Sequence, residues 1–78
     1  MRPAGEVVRI AQGLAVIRAP GTDRPEIGAT LVDEDLATVG RVVDVFGPVQ
    51  RPYVALSPAD GTALPSLLGS RLYERTDG

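Results

Sequence analysis

The sequence predicts an all-β fold, a small six-stranded closed barrel, and three observations carry the prediction. Seven prolines and nine glycines punctuate the 78 residues, and no stretch between them sustains the 3.6-residue apolar period of a helix. The runs that remain are short, aliphatic and rich in valine, the β-branched composition that suits a pleated surface. Six such strands in so small a chain must dispose of their edges, and closing into a barrel does so.

The first two strands are GEVVRI (Gly5 to Ile10) and LAVIRA (Leu14 to Ala19). Ala11-Gln12-Gly13 joins them as a tight hairpin, its glycine free to take positive φ. In the second strand Ala15 and Ile17 share one face, Leu14 and Val16 the other. The stretch PGTDRPE (Pro20 to Glu26) concentrates turn formers and charge and reads as an exposed loop leading to Ile27-Gly28. A third strand follows from Ala29 to Asp33, and Glu34 to Ala37 turns the chain into the longest candidate, Thr38 to Phe46. There Val43 and Val45 are expected to oppose Val42, Asp44 and Phe46. Gly40 suggests a bulge or sharp bend inside this strand.

Gly47-Pro48 ends the pairing, because proline has no amide donor, and Pro52 holds Arg51 in extended geometry. Tyr53 to Ser57 is the fifth strand. PADGTALP (Pro58 to Pro65) is a second turn-rich connection, Leu67-Leu68-Gly69 a single helical turn, and Ser70 to Glu74 the sixth strand. Gly28 and Gly40 read as residues the fold requires. Residues 1–78 are expected to form one domain, with the core between about Gly5 and Arg75 and a frayed polar end from Glu74 to Gly78.

Composition removes several function classes. There is no cysteine and no histidine, which excludes thiol and imidazole nucleophiles, disulfides and nearly every zinc or haem arrangement. No apolar run approaches the length of a membrane span, and MRPAGEVVRI lacks the apolar core of a signal segment, so a cytoplasmic protein is expected. Every basic residue is arginine, and the net charge is −2 with a pI near 4.9. That balance disfavours broad phosphate binding, while scattered guanidinium forks still suit a specific interface.

Acid–base chemistry would have to use carboxylates. Asp33, Glu34 and Asp35 lie together at a turn, where such runs are normally solvated, and the segment lacks regularly spaced oxygen ligands for calcium. Asp44 interrupts an aliphatic strand, either facing outward and locking the local backbone or meeting an arginine of a partner. No glycine pattern or lysine forms a phosphate cradle, and the serines have no histidine to activate them. Phe46, Tyr53 and Tyr73 fall on separate segments, which weakens a base-stacking platform for RNA.

The remaining feature is VVDVFGPVQRPYVAL, Val42 to Leu56, which concentrates two of the few aromatic residues around a Phe-Gly-Pro corner. Two uses are open. Phe46 and Tyr53 can plug the barrel while the prolines shape a turn, or the rigid loop can present an apolar docking surface whose ordering cost is met before a partner arrives.

The order GEVVRIAQGLAVIRA, then IGATLVDEDLATVGRVVDVFGPVQRPYVAL, then LLGSRLYER resembles the core domain of the glycine-arginine-rich subunit of H/ACA ribonucleoprotein particles, archaeal form. The resemblance runs from about Gly5 to Arg75, and its most specific part is Val39 to Tyr53. The related nuclear assembly factor shares that string within larger chains, and the arginine-glycine tails of eukaryotic members are missing here.

The resemblance implies a barrel like the second domain of translation elongation factors, acting as a non-catalytic subunit without cofactor or metal. Such subunits bind the catalytic subunit of the dyskerin-type pseudouridine synthase and influence its mobile thumb loop, promoting substrate loading and product release in rRNA pseudouridylation. Guide and substrate RNA are met only through the complex. The implied partner-binding residues are Phe46, Gly47, Pro48, Val49, Arg51, Pro52 and Tyr53, with Pro48, Val49 and Pro52 expected to be exposed and Phe46 and Tyr53 open between core and interface. The alternative is a barrel that binds rRNA or guide RNA directly through Arg9, Arg18, Arg41 and Arg51.

Overall fold

The structure, a computed structural model, describes residues 2–75. Six strands appear in chain order: β1 (Arg2–Ala11), β2 (Leu14–Arg18), β3 (Thr30–Val32), β4 (Thr38–Phe46), β5 (Tyr53–Pro58) and β6 (Arg71–Glu74), with a 3₁₀ turn at Leu64–Leu67 before β6. They close into a barrel in the order β1-β2-β5-β4-β3-β6, and every pairing is antiparallel. The predicted fold is therefore the observed one.

The β1–β2 hairpin turns at Gln12 and Gly13, both at positive φ (54° and 76°), the twist-matched geometry of a two-residue hairpin loop. Each strand sends one large side chain into the core: Val7, Ile17, Leu31, Val42, Leu56 and Leu72 are all at most 1% exposed. Burial of each contributes roughly 1.5–3 kcal/mol. Leu67, from the 3₁₀ turn, joins the same cluster.

Several sequence boundaries are corrected. β1 starts at Arg2 rather than Gly5, and its Pro3 is tolerated because the register against β6 shifts between Pro3 and Gly5. The helical turn lies at Leu64–Leu67, with Pro65 in its first positions where a missing N–H costs nothing, rather than at Leu67 to Gly69. Glu74 is not frayed: it pairs with Arg2 and Leu31, and its carboxylate lies 3.9 Å from the Arg2 guanidinium. The expected fraying of residues 76–78 lies outside the described residues.

The faces of β4 are also corrected. Its register against β5 shifts between Val42 and Asp44, so Val43 is an extra residue and stands 42% exposed. Val42 and Val45 consequently pack on the core, while Asp44 and Phe46 face outward. A second irregularity, against β3, sets Val39 between the paired residues Thr38 and Gly40. Gly40 itself is dictated by proximity, since a Cβ there would run into the Ser57 carbonyl oxygen.

Candidate partner-binding surface

Antiparallel pairing aligns one outward row across five strands. Arg71 of β6 faces Glu6 of β1, Glu6 faces Arg18 of β2, Arg18 faces Tyr53 of β5, and Tyr53 faces Phe46 of β4. The row is polar at one end and aromatic at the other. Phe46, which ends β4, and Tyr53, which begins β5, are therefore brought onto one face, with ring centroids 5.6 Å apart and planes 19° from parallel. They do not plug the barrel.

Tyr53 is fixed from both sides. The Arg18 guanidinium carbon lies 5.0 Å from the ring centroid, and Arg18 Nη1 donates to the Tyr53 hydroxyl at 3.1 Å. On the other side the ring packs against the backbone of Gly47, where an added Cβ would come within 2.8 Å of Tyr53 Cδ2. Gly47 also has φ of 90°. Glycine is required at this corner for two independent reasons.

The loop that follows is pinned along its length. Arg51 N–H donates to the Pro48 carbonyl at 3.2 Å, closing a turn, and Arg51 Nε donates to the Ala19 carbonyl at 2.9 Å. Ala19 N–H in turn donates to the Pro52 carbonyl at 3.0 Å. Val49 is carried on the tip of this turn, 81% exposed, beside Phe46 at 40%. Gly47, Pro48 and Arg51 are exposed as well, and Tyr53 is half-buried. Pro52, expected among the exposed contacts, is buried, because its carbonyl bond to Ala19 draws it under the loop.

Sequence reading missed one side of this surface. Arg24, Glu26 and Ile27, from the loop between β2 and β3, line a groove together with Phe46, Val49 and Pro52. Ile27 is 63% exposed. No local signal connects residues 24–27 to residues 46–52; the pairing of β2 with β5 and the bonds of Gly28 and Ala29 to Val42 of β4 bring the two loops together.

Two of the acidic candidates, Asp33 and Asp44, have structural roles. Asp33 Oδ1 accepts from the N–H groups of Asp35 and Ala37 at 2.9 and 3.0 Å, and the Asp33 N–H donates to the Ala37 carbonyl. This lock holds Leu36 at φ of 65°. Asp44 faces solvent and accepts from the Val45 N–H at 2.9 Å, bracing the bulge. Among the described residues no three acidic side chains gather as metal ligands, and no helix is long and apolar enough to cross a membrane.

The closed barrel thus carries a rigid apolar tip, a stacked aromatic pair and arginines on its outer face. The family model for the Gar1/Naf1 RNA binding region matches residues 1–77, and the chain belongs to this family. The solved Gar1 domain of Naf1 shares the fold with a TM-score of 0.70 at 20% identity, over 95% of this chain and 81% of that one. An uncharacterized protein of Methanothermobacter thermautotrophicus is 28% identical over 60 residues, 76% of this chain, and the match spans 63% of that relative's length.

Proposed function

We propose that this barrel is the accessory subunit of an H/ACA guide-RNA-dependent pseudouridine synthase, docking on the dyskerin-type catalytic subunit through the turn at residues 47–52 and promoting substrate loading and product release in the cytoplasm. The observation that carries the reading is Val49, an apolar side chain 81% exposed at the tip of a turn closed by three hydrogen bonds. A preformed apolar knob loses little conformational freedom on binding. Phe46 and Tyr53 supply the neighbouring aromatic surface and Arg51 a guanidinium, residue types enriched among interface anchors. Gly47, Pro48 and Pro52 set the shape of the turn.

The test is multiple-turnover pseudouridylation by the catalytic subunit with guide RNA, with and without this chain. The expected outcome is faster turnover when the chain is added and no acceleration by Val49→Asp. A rate that does not respond to the chain would rule out the proposal.

A further inference from the structure

The two longest strands are each shared between two neighbours: residues 2–6 of β1 pair with β6 and residues 6–11 with β2, while residues 38–41 of β4 pair with β3 and residues 40–46 with β5. One half of the barrel is therefore a four-stranded antiparallel sheet, β1-β2-β5-β4, with one face on the core and the other outward. We propose that two copies of this chain associate through that outer face as a symmetric dimer. The inference goes beyond the docking of residues 47–52 on a synthase and does not depend on it.

Composition is the first argument. The outward face of an antiparallel sheet is ordinarily polar, yet here Val16 of β2 and Ala55 of β5 face one another at its centre, between the core positions of their strands. Two bulges enlarge this apolar floor: register shifts set Val8 outside the β1–β2 ladder and Val43 outside the β4–β5 ladder, leaving them 44% and 42% exposed. Val8 and Val16 line a groove of about 300 Å³ together with Phe46 and Tyr53.

The second argument, charge, selects the occupant. Arg9, Val16, Ala55 and Asp44 form one register row across the four strands, with the cation at one edge and the anion at the other, both exposed. Three strand spacings separate the two charges by roughly 14 Å at the backbone, beyond the combined reach of an arginine and an aspartate. They do not pair within the chain; the ion pair found among the described residues is between Arg2 and Glu74.

A second copy, turned over about an axis that runs parallel to the strands between β2 and β5, keeps this row in place and reverses its direction. Arg9 of each copy then meets Asp44 of the other, and Val16 meets Ala55. Two ion pairs flank an apolar centre, the self-complementary pattern of an isologous contact. A two-fold axis in the same plane but across the strands would set like charges together, which selects the first arrangement. The face spans four strands by about six residues, or roughly 400 Å² per copy, which is about half a standard interface. The dimer is accordingly reversible and fills only at high micromolar concentration.

The test is sedimentation velocity of the full chain from about 10 µM to about 1 mM, with a monomer–dimer equilibrium expected in that range. Arg9→Asp sets carboxylate against carboxylate at both ends of the row, and Asp44→Arg sets guanidinium against guanidinium; each should weaken self-association about tenfold. An equimolar mixture of the two variants should dimerise about as well as the wild type, because every contact is again between opposite charges. Circular dichroism identifies a variant that unfolds. Should Asp44→Arg do so for want of its bond to the Val45 N–H, Val8→Asp, at an exposed bulge, is expected to weaken self-association about tenfold in its place. Val49→Asp, on the turn, should associate as the wild type does. A chain that stays monomeric at the highest concentration, an unchanged Arg9→Asp, a mixture no stronger than its components, or loss of association in Val49→Asp would overturn the proposal. Only this chain is used, so failure here leaves the synthase reading untouched.

Discussion

Gly47 shows how one residue couples the fold to the surface. Its positive φ turns the chain out of β4, and its missing side chain lets the Tyr53 ring lie against the backbone. Gly47→Ala should lower stability by about 1–3 kcal/mol, combining the left-handed penalty with a displaced ring; thermal unfolding measures it. Tyr53→Phe removes the acceptor for Arg18 Nη1 and should cost about 0.5–1.5 kcal/mol in the same measurement. Val49→Asp touches neither contact and should leave the melting temperature nearly unchanged. The Phe-Gly-Pro corner was legible as a rigid loop, but the buried position of Pro52 was not. That position follows from a hydrogen bond to Ala19, more than thirty residues earlier in the chain.

At the scale of the strand, the decisive feature is one extra residue in β4. Strict alternation from Val42 would send Asp44 and Phe46 to the same side as Val42, into the core, and a reader of sequence alone counts in that way. Val43 breaks the count, so Asp44 and Phe46 emerge on the outer face with Phe46 opposite Tyr53. This is why the sequence left Phe46 undecided between barrel plug and docking surface. A bulge is set by pairing across two strands and carries no reliable local signature. Deleting Val43 should remove the bulge yet keep Val42 and Val45 inward and Asp44 and Phe46 outward, so cooperative folding should survive, as read by a retained thermal transition. Strand existence, by contrast, was legible throughout: Thr38–Phe46 agrees at both ends, and the turn residues at Gln12-Gly13 act as expected.

For the whole molecule, the number of strands and their closure could be argued from proline, glycine and valine placement, whereas the order β1-β2-β5-β4-β3-β6 could not. That order rests on contacts between distant segments, and it alone assembles the row from Arg71 to Phe46 and the groove shared by Ile27 and Val49. The candidate surface was therefore half legible: residues 46–53 announced themselves by composition, and residues 24–27 did not. A single core holds both halves, so Leu56→Ala at its centre, where Leu56 is wholly buried, should destabilise the barrel by about 2–5 kcal/mol and loosen both surfaces together, seen as one unfolding transition by denaturant titration. The central claim, that residues 47–52 dock this barrel on a synthase, is tested most directly by calorimetric titration of the purified catalytic subunit with the wild-type chain and with Val49→Asp. A stoichiometric complex is expected for the wild type and at least a tenfold loss of affinity for the folded variant; equal affinity for the two would rule out docking through this turn.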